Sequence, residues 1–470
     1  MTEPLDVTPV PGKALLLLGA FDIGDVGYRA EEFFVSGTAS SYAPQGPLGP
    51  DGRWDVKPSG TADYTTRIVV LTPTDPARFN GTVLVEWLNV SGGIDAPAVW
   101  MMAHREIVRS GYAYVAVSAQ KVGVDGGASL LGMDMSLKTQ DPARYASLKH
   151  PGDAFAFAIF SQTGGLARNG AVLGGLRPQR VVGIGESQSA MFLTTYVNAV
   201  DPLARVYDGF LVHSRFGPAA PLDGGSLIEG MEASSGWQQA VKFRPDLRVP
   251  LITIITETDL VGHVPLGYYL ARQPDNARLR VWEIPGAAHA DNYTIQVAPI
   301  DSGAAPIADI VAAYAPTKML MGQQLSHNIN FAPQHHYVVQ ASIAALEGWV
   351  RNGEPAPAAS PIDVRETEPV QLLLDANGLA GGGIRTPWVD VPIARTSGVT
   401  ADESIMAAIF GSGEPFDTAT LDRLYPGGAA EYLERFAAAL DASIKSGFIL
   451  PADRAEILEL AAATYPDGRP

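Results

Sequence analysis

Three side chains of this sequence have the types and the order needed to move an acyl group: Ser187, Asp259 and His289, each following a short apolar run. A serine hydroxyl attacks a carbonyl carbon only when a base takes its proton, an acid orients that base, and donors meet the charge growing on the oxygen. Gly185-Glu186-Ser187-Gln188-Ser189 follows Val181-Val182-Gly183-Ile184, which reads as a buried strand, and leads into Ala190 to Val200, which reads as a helix. A serine at the tip of such a strand–turn–helix is presented as a nucleophile, and the sharp turn needs small residues two before and two after it. Gly185 and Ser189 are both small, although glycine is commoner at the second place. Two plainer readings use the same residues. Gly183-Ile184-Gly185 opens a dinucleotide fingerprint, but the third glycine would fall at Gln188 and no acidic residue ends a suitable later strand. Ser187 could also simply cap the helix behind it.

The expected base is His289, which follows the strand Arg278 to Ile284 and the small-residue loop Gly286-Ala287-Ala288. The other histidines are less well placed. His104 lies in a helical stretch, His150 precedes a Pro-Gly turn, and His263 and His327 sit in loops with no strand just before them. His335 and His336 are adjacent, so they share no face, and no third ligand stands at metal spacing. His213 ends a strand and, with Glu186, is a candidate pocket residue. Glu257 and Asp259 both follow the strand Pro250 to Thr256. Asp259, further into the loop, is the expected acid; Glu257 is the alternative, more suited to fixing the strand end. The oxyanion donors are expected to be the N–H of Gln188 with that of Val90 or Ser91, in a loop that Gly92 and Gly93 free to bend. No cofactor and no metal is implied.

The elements that must position these residues alternate. Strands at 27–38, 64–71, 82–88, 112–118, 181–184, 208–213, 250–256 and 278–284 are interleaved with helices at 98–110, 154–166 and 190–200. That alternation predicts an α/β fold with a doubly wound, mostly parallel sheet, whose ligand sites lie outside the carboxyl ends of the strands. Residues 1–357 are expected to form the catalytic domain, with irregular cap segments at about 218–247 and 293–334. Trp237, Phe243, Met319, Met321 and Phe331 in or beside them suit an apolar pocket or the core. Residues 358–470 read as an extension packed on that domain and closing in two amphipathic helices, 431–446 and 451–465.

Composition narrows the partners. Apolar residues make up 46% of the chain and charged residues 18%, an ordinary balance for a large core. A net charge of −17 argues against nucleic acid or an anionic membrane. There is no cysteine, hence no disulfide, thiolate metal site or cysteine nucleophile. The N-terminus lacks a basic leader and the apolar run Ala14 to Leu18 is too short to span a bilayer. A cytoplasmic protein is expected, unless an export signal has been removed.

A family resemblance joins these pieces. Phe79-Asn80-Gly81-Thr82-Val83-Leu84-Val85-Glu86-Trp87-Leu88-Asn89-Val90-Ser91-Gly92-Gly93, His150-Pro151-Gly152-Asp153, the turn at Ser187, Thr256 to Asp259, Gly286 to Asp291 and Gly383-Ile384-Arg385-Thr386-Pro387-Trp388 are together similar to a bacterial group of α/β-hydrolase-domain proteins. The resemblance covers nearly the whole chain. It implies an α/β-hydrolase fold with a cap and a C-terminal helical extension, and a serine carboxylesterase acting on a small-molecule ester. Acyl transfer, amide or lactone cleavage with the same residues, and a non-catalytic binding protein of the same fold, are the alternatives.

Overall fold

At the middle of the sheet stand β4 (Thr82–Trp87) and β6 (Arg180–Glu186), which run parallel and pair Thr82 with Arg180 and Glu86 with Ile184. Val83, Val85 and Trp87 enter one apolar cluster while Leu84 enters the other, so a strand covered on both faces still alternates. The computed structural model describes residues 5–130, 132–225, 239–262, 267–401 and 404–466. Trp237 and His263 lie outside them, as does the middle of the first expected cap segment.

Among the described residues the main sheet has nine strands in the order β1-β2-β3-β5-β4-β6-β7-β8-β9. β1 (Asp6–Val10), β2 (Tyr28–Pro44) and β3 (Val56–Pro73) are antiparallel neighbours. From β5 (Ala113–Val117) through β4 and β6 to β7 (Gly209–His213), β8 (Leu251–Thr256) and β9 (Leu279–Ile284), every pair is parallel. This is the mostly parallel α/β sheet that the alternation predicts. Helices α1 (Ala98–Arg109) and α5 (Gln334–Asn352) supply the apolar cluster on one face. On the other, α2 (Ala156–Asn169) and α3 (Gln188–Thr195) bring Phe157, Phe160 and Phe192 around Trp87, ring centres 5.0–5.7 Å away. The helix expected at 190–200 widens into a π-helical turn over Tyr196–Val200.

The chain beyond residue 357 shares this core. Phe436 and Leu440 of α6 (Gly428–Lys445), with Ile457 and Leu460 of α7 (Arg454–Thr464), join the cluster that holds Trp100 and Trp282. Trp282 of β9 meets Phe448 edge-on at 5.1 Å and donates its indole N–H to the Pro357 carbonyl at 2.8 Å. Short polar strands differ from the sequence expectation. β1 carries a proline and little buried surface, so its five residues give no apolar alternation to read. The hairpin β10 (Ala394–Ser397) and β11 (Ser412–Pro415) is likewise short and polar. Of the apolar residues expected in pocket or core, Phe243 is buried, whereas Met319 and Met321 are exposed. Among the described residues no helix is long and apolar enough to cross a membrane.

Candidate active site

At the carboxyl end of β6 the backbone turns through Ser187 with φ 59° and ψ −119°, a conformation that a side chain makes costly. The small residues around it fit each other. A Cβ on Gly185 would stand 3.0 Å from Leu193 Cδ1 and 3.2 Å from Ser189 Cβ, so glycine at 185 leaves room for serine at 189. The Ser187 amide donates to the His213 carbonyl at 2.9 Å and ties the turn to the end of β7.

Ser187 Oγ lies 2.8 Å from His289 Nε2, and His289 Nδ1 lies 2.6 Å from Asp259 Oδ1. The second carboxylate oxygen of Asp259 accepts from the Thr256 amide and hydroxyl, both at 2.8 Å. Asp259 does not stand in an open loop. It sits in the first turn of α4 (Glu257–Val261), where it and Thr256 cap each other's backbone N–H. This cap leaves one carboxylate oxygen aimed at the imidazole. The ring proton is therefore assigned to Nδ1, beside the carboxylate, leaving the Nε2 lone pair towards Ser187. Burial opposes charge on His289. The Asp259 charge and hydrogen bond, helped by Glu186, outweigh it and hold the imidazole above its ordinary pKa. The Phe216 ring stacks on the imidazole at 5.2 Å.

Glu257, the alternative acid, faces elsewhere. It accepts from the Gly286 amide at 2.6 Å, the Gly398 amide at 2.8 Å and the Ser397 hydroxyl at 2.7 Å. Thr258 donates to the Gly398 carbonyl at 2.7 Å and accepts from the His289 amide at 3.1 Å. Three consecutive residues thus fasten the histidine loop from the C-terminal hairpin side, through backbone groups, and through the ring.

The expected oxyanion donors carry partners. The Val90 amide donates to the side-chain oxygen of Gln188 at 3.2 Å, and the Ser91 amide to Asn89 Oδ1 at 2.9 Å. The Gln188 amide opens α3, where first-turn N–H groups have no intrahelical acceptor. Glu186 is buried. Its Oε1 is 3.4 Å from His289 Nε2, and Asn89 Nδ2 reaches its carbonyl and Oε2 at 3.1 and 3.4 Å. Burial pushes the Glu186 carboxyl up to about 7, against the pull of His289. His213, expected as a pocket residue, is 1% exposed and turned to His335, Nε2 to Nε2 at 2.8 Å. It is a buried packing partner whose protonation burial resists.

Asn89 and Phe216 are site neighbours that sequence reasoning did not single out. The polar residue just beyond β4 was a usable signal for Asn89; nothing marked Phe216. The His150 to Asp153 motif braces the loop after β5. His150 meets the Ala119 carbonyl at 2.8 Å, and Asp153 accepts from Gln120 and the Lys121 amide at 3.0 and 2.7 Å. A cleft of about 1040 Å³ opens between Val261, Lys318, His327 and Arg395, and none of the expected site residues lines it. Among the described residues no three histidine, aspartate or glutamate side chains gather as a metal ion would require.

A family model described as an alpha/beta hydrolase domain matches residues 1–459. The chain belongs to the α/β-hydrolase domain family. No curated protein matches it. Among solved structures, esterase Est22 with p-nitrophenol is 13% identical, covering 63% of this chain and 84% of that one, with a TM-score of 0.37. Esterases from Rhizomucor miehei (10% identity, 68% and 85% covered, TM-score 0.32) and a glucuronoyl esterase from Solibacter usitatus (12%, 55% and 69%, 0.29) are also similar. Likeness at this level says nothing of reaction or substrate. Within this α/β-hydrolase domain the row Ser187–His289–Asp259 lies where β6, β8 and β9 end, outside the carboxyl edge of the sheet.

Proposed function

We propose that this protein hydrolyses a small carboxylic ester through an acyl-enzyme on Ser187. The observation that carries the reading is the unbroken row of hydrogen bonds from Ser187 Oγ through His289 to Asp259, starting at a serine held with φ 59°. His289 takes the hydroxyl proton on Nε2 as Oγ bonds to the carbonyl carbon, and then delivers it to the leaving alkoxide. Asp259 keeps the ring proton on Nδ1 and balances the imidazolium. Water, activated by the same nitrogen, then releases the acid from Ser187.

The carbonyl oxygen becomes an anion in this step and needs donors. In the proposal these are the amides of Gln188 and Val90, and the side-chain oxygen of Gln188, which now takes the Val90 N–H, yields it to the substrate. Ser91, whose amide serves Asn89, holds that loop in place. Residues 1–357 supply the reacting groups, and the extension 358–470 steadies the acid loop through Ser397 and Gly398.

The test is labelling with a fluorophosphonate, followed by peptide mapping, with Ser187→Ala as the control. A single adduct on Ser187, absent from the control, is the expected outcome. A folded protein that takes no label would displace the esterase reading in favour of a non-catalytic binding protein.

A further inference from the structure

The carboxyl group of Glu186 has no part in the reaction as derived so far, yet it is buried beside the reacting nitrogen. Its Oε1 lies 3.4 Å from His289 Nε2, the atom that meets Ser187 Oγ at 2.8 Å. Asn89 reaches both its main-chain oxygen and its Oε2, which fixes where the carboxyl points. Among the described residues no lysine or arginine forms an ion pair with it; the cation it meets is His289, once protonated.

We infer that Glu186 is a positioning residue for His289, receiving the Nε2–H of the imidazolium after the proton has left Ser187. This rests on Ser187 and His289 acting as proposed above. As Oγ bonds to the carbonyl carbon, its proton passes to Nε2. That N–H then has Glu186 Oε1 as an acceptor besides the serine oxygen, until the leaving alkoxide takes the proton. Glu186 gains and loses nothing in the cycle. Its charge lowers the cost of an imidazolium in a buried site, where an unpaired cation is unfavourable.

A neutral Glu186 does the opposite, because its O–H competes with Ser187 for the Nε2 lone pair. One added proton therefore stops the reaction whether it sits on the ring or on the carboxyl, and the two groups titrate as a pair. Asp259 faces the ring from α4, at Nδ1. From β4, burial pushes the Glu86 carboxyl up to about 8 and the Glu186 charge adds to this; from β7, burial keeps His213 from charging, and the imidazolium opposes a charge on it too. The Asp259 charge favours a proton on both members of the pair, whereas Glu86, itself protonated up to about pH 8, and neutral His213 add no charge there.

The pH dependence of kcat/KM for p-nitrophenyl acetate decides the matter. Glu186→Gln keeps the shape and removes the charge; Glu186→Asp keeps a charge about one methylene further back. For Glu186→Gln the acid limb should move down by about one pH unit and the plateau kcat should fall about tenfold, with KM little changed. Glu186→Asp should lie between. A plateau loss with an unmoved limb is what a merely structural role would give, and it overturns the inference. So does a glutamine variant with the wild-type limb and rate. If the glutamine variant does not fold, the aspartate variant decides, and a limb unchanged from wild type counts against the inference. Wild-type protein that neither cleaves the ester nor takes a fluorophosphonate on Ser187 refutes the esterase reading itself, and this inference with it.

Discussion

Asp259→Asn and Glu257→Gln each exchange a carboxylate for an amide, two positions apart, and the hydrogen bonds around them predict opposite failures. Asp259 Oδ2 serves two donors on Thr256, at 2.8 Å each, and Oδ1 serves His289 Nδ1 at 2.6 Å. An asparagine keeps the two Thr256 bonds by giving them its oxygen, which turns its NH₂ towards Nδ1. The ring must then offer a lone pair there and carry its proton on Nε2, facing Ser187, so it can no longer accept the hydroxyl proton. In the serine protease where this swap defines the effect, the wrong tautomer costs kcat about 10,000-fold, equivalent to about 5.5 kcal/mol. Glu257→Gln leaves the ring alone. Its oxygen can meet the Gly286 or the Gly398 amide, and its NH₂ then confronts the other. One buried backbone N–H without an acceptor costs about 1–3 kcal/mol of stability. Steady-state kinetics on p-nitrophenyl acetate, with urea unfolding followed by tryptophan fluorescence, separates the two. Asp259→Asn should be nearly inactive and close to wild-type stability; Glu257→Gln should unfold earlier and keep at least about a tenth of the activity. A folded Glu257→Gln as inactive as Asp259→Asn would refute the assignment and move the acid to Glu257.

Two further outcomes follow from particular contacts. Gln188→Ala frees the Val90 amide while keeping the main-chain donor at 188, so kcat for simple esters should hold or rise by about threefold; a loss beyond about tenfold would mean the side chain shapes the loop instead of yielding to the oxyanion. Gly398→Ala would set a Cβ 2.4 Å from the Thr258 nitrogen and 2.6 Å from the Ala287 oxygen. Both are backbone atoms, so the acid and histidine loops must part. The fluorophosphonate labelling rate should fall and stability should drop by about 1–3 kcal/mol, and a variant matching wild type in both would show the loops to be more compliant than drawn.

The parallel strands were legible because each is a short, largely buried and mostly apolar run, and the carboxyl ends of three of them are where Ser187, Asp259 and His289 stand. The order of those residues along the chain, together with the apolar run before each, carried their grouping. Asp259 itself was read into a loop and lies in a helical turn, because the reciprocal cap with Thr256 is a four-residue feature too short to show a period. His213 looked like a pocket residue from its strand-end position. Its partner His335 is 122 positions away on α5, and no local pattern announces such a pairing. The hairpin holding Ser397 and Gly398 was invisible for the same reason. Its residues are small and polar, and their meaning comes from Glu257, far back in the sequence.

That separation has a consequence for how the protein is made. Glu257 is clamped by residues 140 and 141 positions further along. Synthesis runs from the N-terminus, so Ser187, Asp259 and His289 all leave the ribosome before the hairpin that steadies them. An unfinished chain, or one clipped ahead of residue 397, holds all three residues of the proposed triad and lacks the brace on the acid loop. The brace on the acid loop therefore closes only once residues 397 and 398 have been made, well after the groups it steadies.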